Sequence, residues 1–216
     1  MTLALLLFVS IYPIIGGWLF LHLSRLRMQT PVFLSAVAGG VLSTILAATL
    51  QSIIPVINIE ARLEILFDIF VRIAFVEELM RFIVLRIMFA ALVKFFKTKL
   101  TLPLQTACGL MLGLAFSSIE TALIITTNVQ FGMIRIFTAA PLHGACGGRC
   151  AMAAAKDGGT TGVIRHFGSA VLLHGFYNAM LVREGFLPLV GVLLAIMSFV
   201  RTIKQCRNVQ EEEVSL

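Results

Sequence analysis

Long apolar segments dominate the sequence and constrain its fold more than any other feature. A transmembrane α-helix needs about 20 consecutive, mainly apolar residues to cross roughly 30 Å of hydrocarbon. Seven segments come close to or exceed that length, namely 3–23, 32–57, 65–93, 104–127, 133–155, 163–182 and 186–203. The sequence therefore predicts an all-α, polytopic membrane bundle of about seven transmembrane helices.

The composition agrees with this and excludes other classes of protein. Of the 216 residues, 59% are hydrophobic and 13% are charged, and the mean hydropathy is +0.98. Soluble domains carry about a quarter charged residues, so a disordered chain, a secreted disulfide scaffold and a cytosolic enzyme are all excluded. The net charge of +6 is expected in cytoplasmic loops and not on a nucleic-acid-binding surface. The four cysteines form no CxxC pair, and we expect them to pack as small side chains.

The basic residues predict an orientation. They follow the first, third, fifth and seventh segments, as Arg25, Arg27, Lys94, Lys97, Lys99, Lys156, Arg165, Arg201, Lys204 and Arg207. Because cytoplasmic loops carry the excess of Lys and Arg, the N-terminus is predicted outside and the C-terminus in the cytoplasm. We expect a single transmembrane domain over 1–204 and a short, disordered cytoplasmic tail over 205–216.

The third segment carries ionisable residues at depths where they are costly. Such residues inside a membrane mark function by default. Glu77, Glu78 and Arg81 lie deep in the segment, and the arginine is four and three residues after the two glutamates. It can therefore reach either one. Asp68 and Arg72, which form a similar pair near the outer end, have a structural interpretation, as does Arg86, which can extend towards the cytoplasm.

Three further segments present polar residues on faces that should pack inside the bundle. In the fourth, Glu120 follows a stripe of small residues formed by Gly109, Gly113 and Ser117, which is typical of a helix–helix contact. In the fifth, His143 lies on a similar stripe with Ala139, Gly147 and Ala151. In the sixth, His174 and Asn178 are four residues apart on one face.

Depth and charge suggest that these residues form one site. At 1.5 Å per residue, Glu77, Glu120, His143 and His174 lie roughly 14–25 Å from the cytoplasmic flanks, so their levels overlap. The three glutamates and Arg81 sum to −2, which an apolar interior does not hold bare. Either carboxyl groups are protonated or a divalent cation is bound. Two histidines and a carboxylate form a known catalytic zinc ligand set, in which the bound water has a pKa near 7.

The motifs resemble those of a known family. Glu77-Glu78-Leu79-Met80-Arg81 resembles the EExxK/R motif of PrsW-type intramembrane proteases, and Phe116 to Glu120 resembles their FxxxE motif. His143 and the segment from His174 to Asn178 resemble their later histidine motifs. The wider clan of CAAX proteases and bacteriocin-processing enzymes has a similar plan, with a motif core here over 65–182. Arg81 stands where PrsW itself usually has lysine.

The resemblance implies an intramembrane endopeptidase that acts on a membrane-anchored protein in a bacterial cytoplasmic membrane. Characterised PrsW-type members are associated with cleavage of anti-sigma factors. We expect Glu77 to activate water, with Glu78 and Arg81 in support and Asn178 as a donor to the oxyanion. The expected zinc ligands are Glu120, His143 and His174.

Other functions stay open at this point. A metal-free, glutamate-type protease would use the same residues, with the histidines as oxyanion donors. A proton- or cation-coupled transporter also needs acids and histidines at mid-membrane, although no inverted repeat is visible. A non-catalytic scaffold or immunity protein of the same clan is the third alternative. The sequence identifies neither the substrate nor the oligomeric state.

Overall fold

The computed structural model of the protein describes residues 8, 10–24, 28–55, 61–155 and 159–215. Within these ranges the chain is helical apart from turns and short connections, and they contain no strand. In chain order the elements are α1 (Tyr12–Leu23), α2 (Thr30–Ile53), α3 (Ala61–Phe67), a π-helix (Asp68–Phe75), α4 (Val76–Phe96), α5 (Leu102–Thr127), α6 (Val129–Ala154), α7 (Gly159–Leu181) and α8 (Leu187–Ser215). Since α3, the π-helix and α4 follow one another directly, they form one continuous helical segment.

The all-α prediction is confirmed, and the membrane prediction is confirmed at a coarser level. Among the described residues, three helices are long and apolar enough to cross a membrane, namely Thr30–Ile53, Leu102–Thr127 and Leu187–Gln205. Large apolar side chains such as Ile87, Phe95 and Met197 are more than half exposed on the outside of the bundle, which suits a lipid environment. The count of seven spans and the orientation of the termini stay predictions. Arg25, Arg27, Glu60 and Lys156, which contributed to them, lie outside the described residues.

Helix α5 occupies the centre of the bundle. Every residue over 106–118 is buried, so this helix presents almost no surface to lipid along that stretch. Its N-terminus is capped by Thr101, whose hydroxyl accepts from the amide of Leu104. Asn128 ends the helix and caps the next one, because its side chain accepts from the amide of Phe131 at 3.0 Å. The two central helices are therefore joined by a single residue.

Small residues bring the backbones of α5 and α6 into close contact. A Cβ added to Gly109 would collide with the carbonyl oxygen of Gly147, and one added to Gly113 would collide with that of His143. Both stripes predicted from the sequence thus face each other, as expected for small-residue packing. The contact fixes the backbone of His143 directly against the central helix.

The π-helix before α4 was not predicted from the sequence. It spans Asp68–Phe75 and ends immediately before Val76, which precedes the paired glutamates. Segments of i→i+5 hydrogen bonding are rare and frequently occur at functional sites. Here the wide turn sets the rotation at which α4 presents Glu77 and Glu78.

Of the remaining structural predictions, three are confirmed and one is wrong. Asp68 and Arg72 form the expected ion pair at 2.8 Å, and Arg86 donates to the carbonyl of Ala154 at 3.1 Å. Three cysteines are buried, as expected for small packing side chains, and they are Cys108, Cys146 and Cys150. The expectation of a disordered tail is wrong for its backbone, because α8 continues to Ser215. The apolar part of that helix passes into the polar tail without a helix-ending glycine or proline.

Candidate active site

The paired glutamates lie in the first turn of α4 and are buried with their arginine. Glu77 is 5% exposed, whereas Glu78 and Arg81 are fully buried. Nη2 of Arg81 lies 3.0 Å from Oε2 of Glu77, and Nη1 contacts Oε1 of Glu78. The arginine thus binds both carboxylates at once, where the sequence spacing allowed either.

Arg81 also reaches across to α6. Its Nη2 lies 2.7 Å from Nδ1 of His143, and its guanidinium lies 3.9 Å from the ring centroid of Phe116. Because arginine can only donate, Nδ1 accepts, and the single proton of a neutral imidazole is then on Nε2. The guanidinium therefore uses the one lone pair that a neutral His143 offers.

His174 of α7 is oriented by the second glutamate. Its Nδ1 lies 2.7 Å from Oε1 of Glu78, and its Nε2 lies 3.9 Å from Oε2 of Glu77. The ring stands edge-on to that of His143, with centroids 5.1 Å apart. When Nδ1 donates to a carboxylate in this way, Nε2 is left with a free lone pair, which is the usual arrangement for a metal-binding histidine.

Among the described residues, one group of three has the donors and spacing to hold a metal ion. It consists of Glu77, His143 and His174, with one potential ligand atom from each within 4.8 Å of the others. The donor set fits zinc. Two members are ready to bind, while His143 must first lose its hydrogen bond from Arg81. A metal at this group and the contact between Arg81 and His143 therefore exclude one another.

Glu120, which the sequence suggested as a ligand, lies on the other side of His143. Its Oε2 is 2.9 Å from Nε2 of His143 and 2.6 Å from Nη2 of Arg135. Its side chain is 26% exposed, more than that of any other charged group in the cluster. The structure thus brings Glu120 to the site but places Glu77 in the group of three.

Asn178 lies one turn after His174 on α7 and is half-buried. It stands outside the contacts that join the two histidines, the three glutamates and Arg81. Its predicted role as an oxyanion donor stays a prediction.

Two residues of the cluster were not found from the sequence. Arg135 of α6 is 7% exposed and pairs with Glu120, and Gln51 of α2 donates to Oε1 of Glu77 at 3.3 Å. Arg135 precedes His143 by eight residues, so extending the stripe of Ala139 and His143 by one turn would have found it. A lone amide such as Gln51 gives no comparable signal.

Arg135 changes the charge balance of the site. Glu77, Glu78 and Glu120 contribute −3 and the two arginines +2, so the sum is −1 with neutral histidines. The sum from the sequence, in which Arg81 was the only arginine counted, was −2. Because Arg135 reduces the net negative charge to −1, the charge balance calls for a divalent cation less strongly than it did from the sequence alone.

Several buried polar atoms around Glu120 lack a hydrogen-bond partner among the described residues. They include Oγ of Ser117, Oγ1 of Thr121, Nε of Arg135 and Nε2 of His143, whose close contact with Glu120 is poorly aligned as a hydrogen bond. Buried polar groups without partners cost free energy. This side of the site is consequently suited to a polar occupant, such as water or a peptide backbone.

The comparison with known proteins agrees with this chemistry. The family model described as PrsW family intramembrane metalloprotease matches residues 29–202, which include every residue of the cluster. No curated protein and no solved structure matches the chain.

Proposed function

The chain belongs to the PrsW family of intramembrane metalloproteases, and on that premise we propose that it hydrolyses a peptide bond of a membrane-anchored protein at the cluster around Glu77. The observation that carries the proposal is the convergence of Glu77, His143 and His174 from three helices inside an apolar bundle. Ionisable side chains inside a membrane cost free energy, so a cluster of carboxylates and imidazoles there indicates a functional site.

We propose that Glu77, His143 and His174 hold Zn²⁺. The spacing of the three potential ligand atoms and the correctly oriented His174 support this. When bound, zinc polarises a carbonyl and lowers the pKa of water so that hydroxide is available near neutral pH. Binding would require that Arg81 release Nδ1 of His143, which it contacts through the same Nη2 that pairs with Glu77.

The surrounding residues have separable roles in this proposal. Glu78 fixes the tautomer and ring orientation of His174. Arg81 holds both glutamates and balances part of their charge. Glu120 lies nearest to the surface beside the unpartnered polar atoms, so it can exchange a proton with water on the open side. Asn178, one turn from His174, can donate to the oxyanion that forms on the scissile carbonyl.

A metal-free mechanism has one specific observation in its favour. Arg81 occupies the lone pair of His143, which leaves that histidine as an Nε2–H donor. In this version Glu77 accepts the proton of the attacking water, and His143 donates to the oxyanion. The two mechanisms use the same residues and differ in their response to chelators.

We propose a single-span or lipidated protein as the substrate, an anti-sigma factor being one example suggested by the family resemblance. The proposed location is a bacterial cytoplasmic membrane. A coupled transporter is the alternative of a different class, since buried acids and histidines also form proton relays.

The test uses protein purified in detergent and then reconstituted in vesicles. Single-span substrates are incubated with the protein, and products are identified by mass spectrometry, with and without chelator and alongside elemental analysis. Glu77→Gln should reduce cleavage to background. The matched control is Glu64→Gln, an identical change at a half-buried position on α3, which should leave the rate within about twofold.

The outcomes separate the alternatives. Stoichiometric zinc and loss of cleavage in chelator support the metalloprotease, whereas full cleavage without metal supports the glutamate mechanism. If no substrate is cleaved and Glu77→Gln instead abolishes proton or cation flux into vesicles, the protease proposal is wrong.

A further inference from the structure

A cavity lies at the opposite end of α4 from the glutamates. It has a volume of about 510 Å³, within the range of ligand sites. Its walls come from the last three turns of α4, the connection to α5 and the end of α6. Lys94 is 17 residues after Glu77, which is about 25 Å along a helix. The cavity is therefore separate from the candidate active site.

The lining of this cavity is divided between cations and apolar groups. Arg86, Lys94 and Lys99 contribute three positive charges, and none of the described residues that line the cavity is acidic. Phe89, Val93 and Leu100 supply an apolar wall. Three cations beside an apolar surface fit a ligand that has an anionic head and a hydrocarbon chain.

The geometry of the cations is partly fixed by the fold. Nη1 of Arg86 donates to the carbonyl of Ala154 in the last turn of α6, at 3.1 Å, so its guanidinium is held between two helices. α4 ends at Phe96, and the left-handed backbone of Lys97 (φ 53°) turns the chain. This turn leads to Lys99 and Leu100, which line the cavity together with Lys94 of α4. If these basic residues served only to set the orientation of the protein in the membrane, they would not need to line a cavity.

The position along the bundle also fits a lipid. This end carries the basic residues that the sequence predicts to be cytoplasmic, where membranes present anionic lipids. Val93 lines the cavity and is half exposed on the outside of the bundle. A head group beside the cations could therefore leave its acyl chains against this exposed apolar part of α4.

We propose that this cavity binds the phosphate head group of an anionic phospholipid, with Arg86, Lys94 and Lys99 around the phosphate and the first methylenes against Phe89 and Val93. Basic pockets between transmembrane helices on the cytoplasmic side commonly bind such head groups. The site is independent of the proposed proteolysis and stands if that proposal fails.

The experiment measures binding of dioctanoyl phosphatidylglycerol to delipidated protein in nonionic detergent, by native mass spectrometry and thermal shift. The parallel probes are dioctanoyl phosphatidylcholine and inorganic phosphate. Phosphatidylglycerol should bind, and the two other probes should bind at least tenfold more weakly. Equal binding of phosphatidylcholine would show that the negative charge of the head group does not contribute, and it would overturn the proposal. Equal binding of inorganic phosphate would identify a soluble anion as the ligand and overturn the lipid assignment.

Two variants and a control locate the site. Lys94→Gln combined with Lys99→Gln should weaken phosphatidylglycerol binding by about 30-fold, since each basic residue near the head group contributes about one factor of five. Arg165→Gln combined with Arg201→Gln removes the same charge at exposed positions outside the cavity and should change binding less than threefold. Val93→Trp fills the apolar half without altering charge and should also weaken binding. An equal loss in the control pair, or unchanged binding in both cavity variants, would overturn the proposal.

Discussion

The buried arginine of the active site allows a sharp test of how the cluster is held together. Arg81 is fully buried and contacts two glutamates whose side chains are 7% and 0% exposed. Arg72 makes the same i,i+4 pair with Asp68 on the same helical segment, but the side chains of this pair are 22% and 37% exposed. The chain thus carries a buried ion pair and its exposed control at identical spacing.

The perturbation is Arg81→Met, compared with Arg72→Met. Removing one partner of a buried pair leaves an uncompensated charge and costs about 3–5 kcal/mol, whereas an exposed pair contributes about 0–1 kcal/mol. For a chain of this size, each kcal/mol shifts the melting temperature by about 2–4 °C. We therefore expect Arg81→Met to lower the melting temperature by roughly 6–20 °C and Arg72→Met by less than about 4 °C.

The assay is thermal unfolding in detergent with chelator present, so that no bound cation replaces the lost arginine. The double variant Arg81→Met with Glu78→Gln should recover part of the loss, because one of the two unpaired carboxylates becomes neutral. Equal shifts for the two arginines would refute the reasoning, since burial would then have no effect. A double variant less stable than the sum of its single changes would show that charge is not the cause.

Three further predictions concern packing and helix ends. Gly113→Ala should destabilise the protein by about 1–3 kcal/mol, because its Cβ meets the backbone of His143, while Gly168→Ala, with nothing within 4 Å, should not destabilise it; equal effects in thermal unfolding would contradict the close contact. Asn128→Ala should cost about 1 kcal/mol through the lost cap, which Asn128→Ser should largely retain, and a neutral alanine variant would show that the cap is not used. Cys108, Cys146 and Cys150 are buried, so in a Cys206→Ser background maleimide should fail to label the folded protein until dodecyl sulfate unfolds it; rapid labelling before unfolding would contradict their burial.

The sequence predicted those features of the fold that depend on spacing within one helix. The small-residue stripes of α5 and α6 were visible at intervals of four, and they do face each other. The contact between Arg81 and the two glutamates follows from the same spacing. Apolar length alone located both ends of the second to sixth helical segments to within about four residues. The last helix extends beyond its predicted end, and the predicted start of the first segment lies outside the described residues.

Contacts between helices depend on rotation, which spacing does not reveal. From the sequence we expected Glu120 as a metal ligand because it shares a level with the histidines, whereas in the structure Glu77 forms the group of three with them. The π-helix changes the rotation of α4 just before that residue, and no pattern in the segment predicts it. Arg135, by contrast, lies on the same stripe as His143 and could have been identified from the sequence.

The wide turn before α4 also bears on how this gene can vary in length. An i→i+5 turn accommodates one more residue than an α-helical turn, so the segment Asp68–Phe75 stores a surplus residue between two ordinary helices. Deleting one residue there would let the turn tighten and keep the phase of everything downstream. The same deletion between Glu78 and Arg81 has no such slack, and it would swing the guanidinium about a quarter-turn away from its acids. A single-residue deletion within Asp68–Phe75 should therefore be tolerated, whereas one between Glu78 and Arg81 should abolish activity.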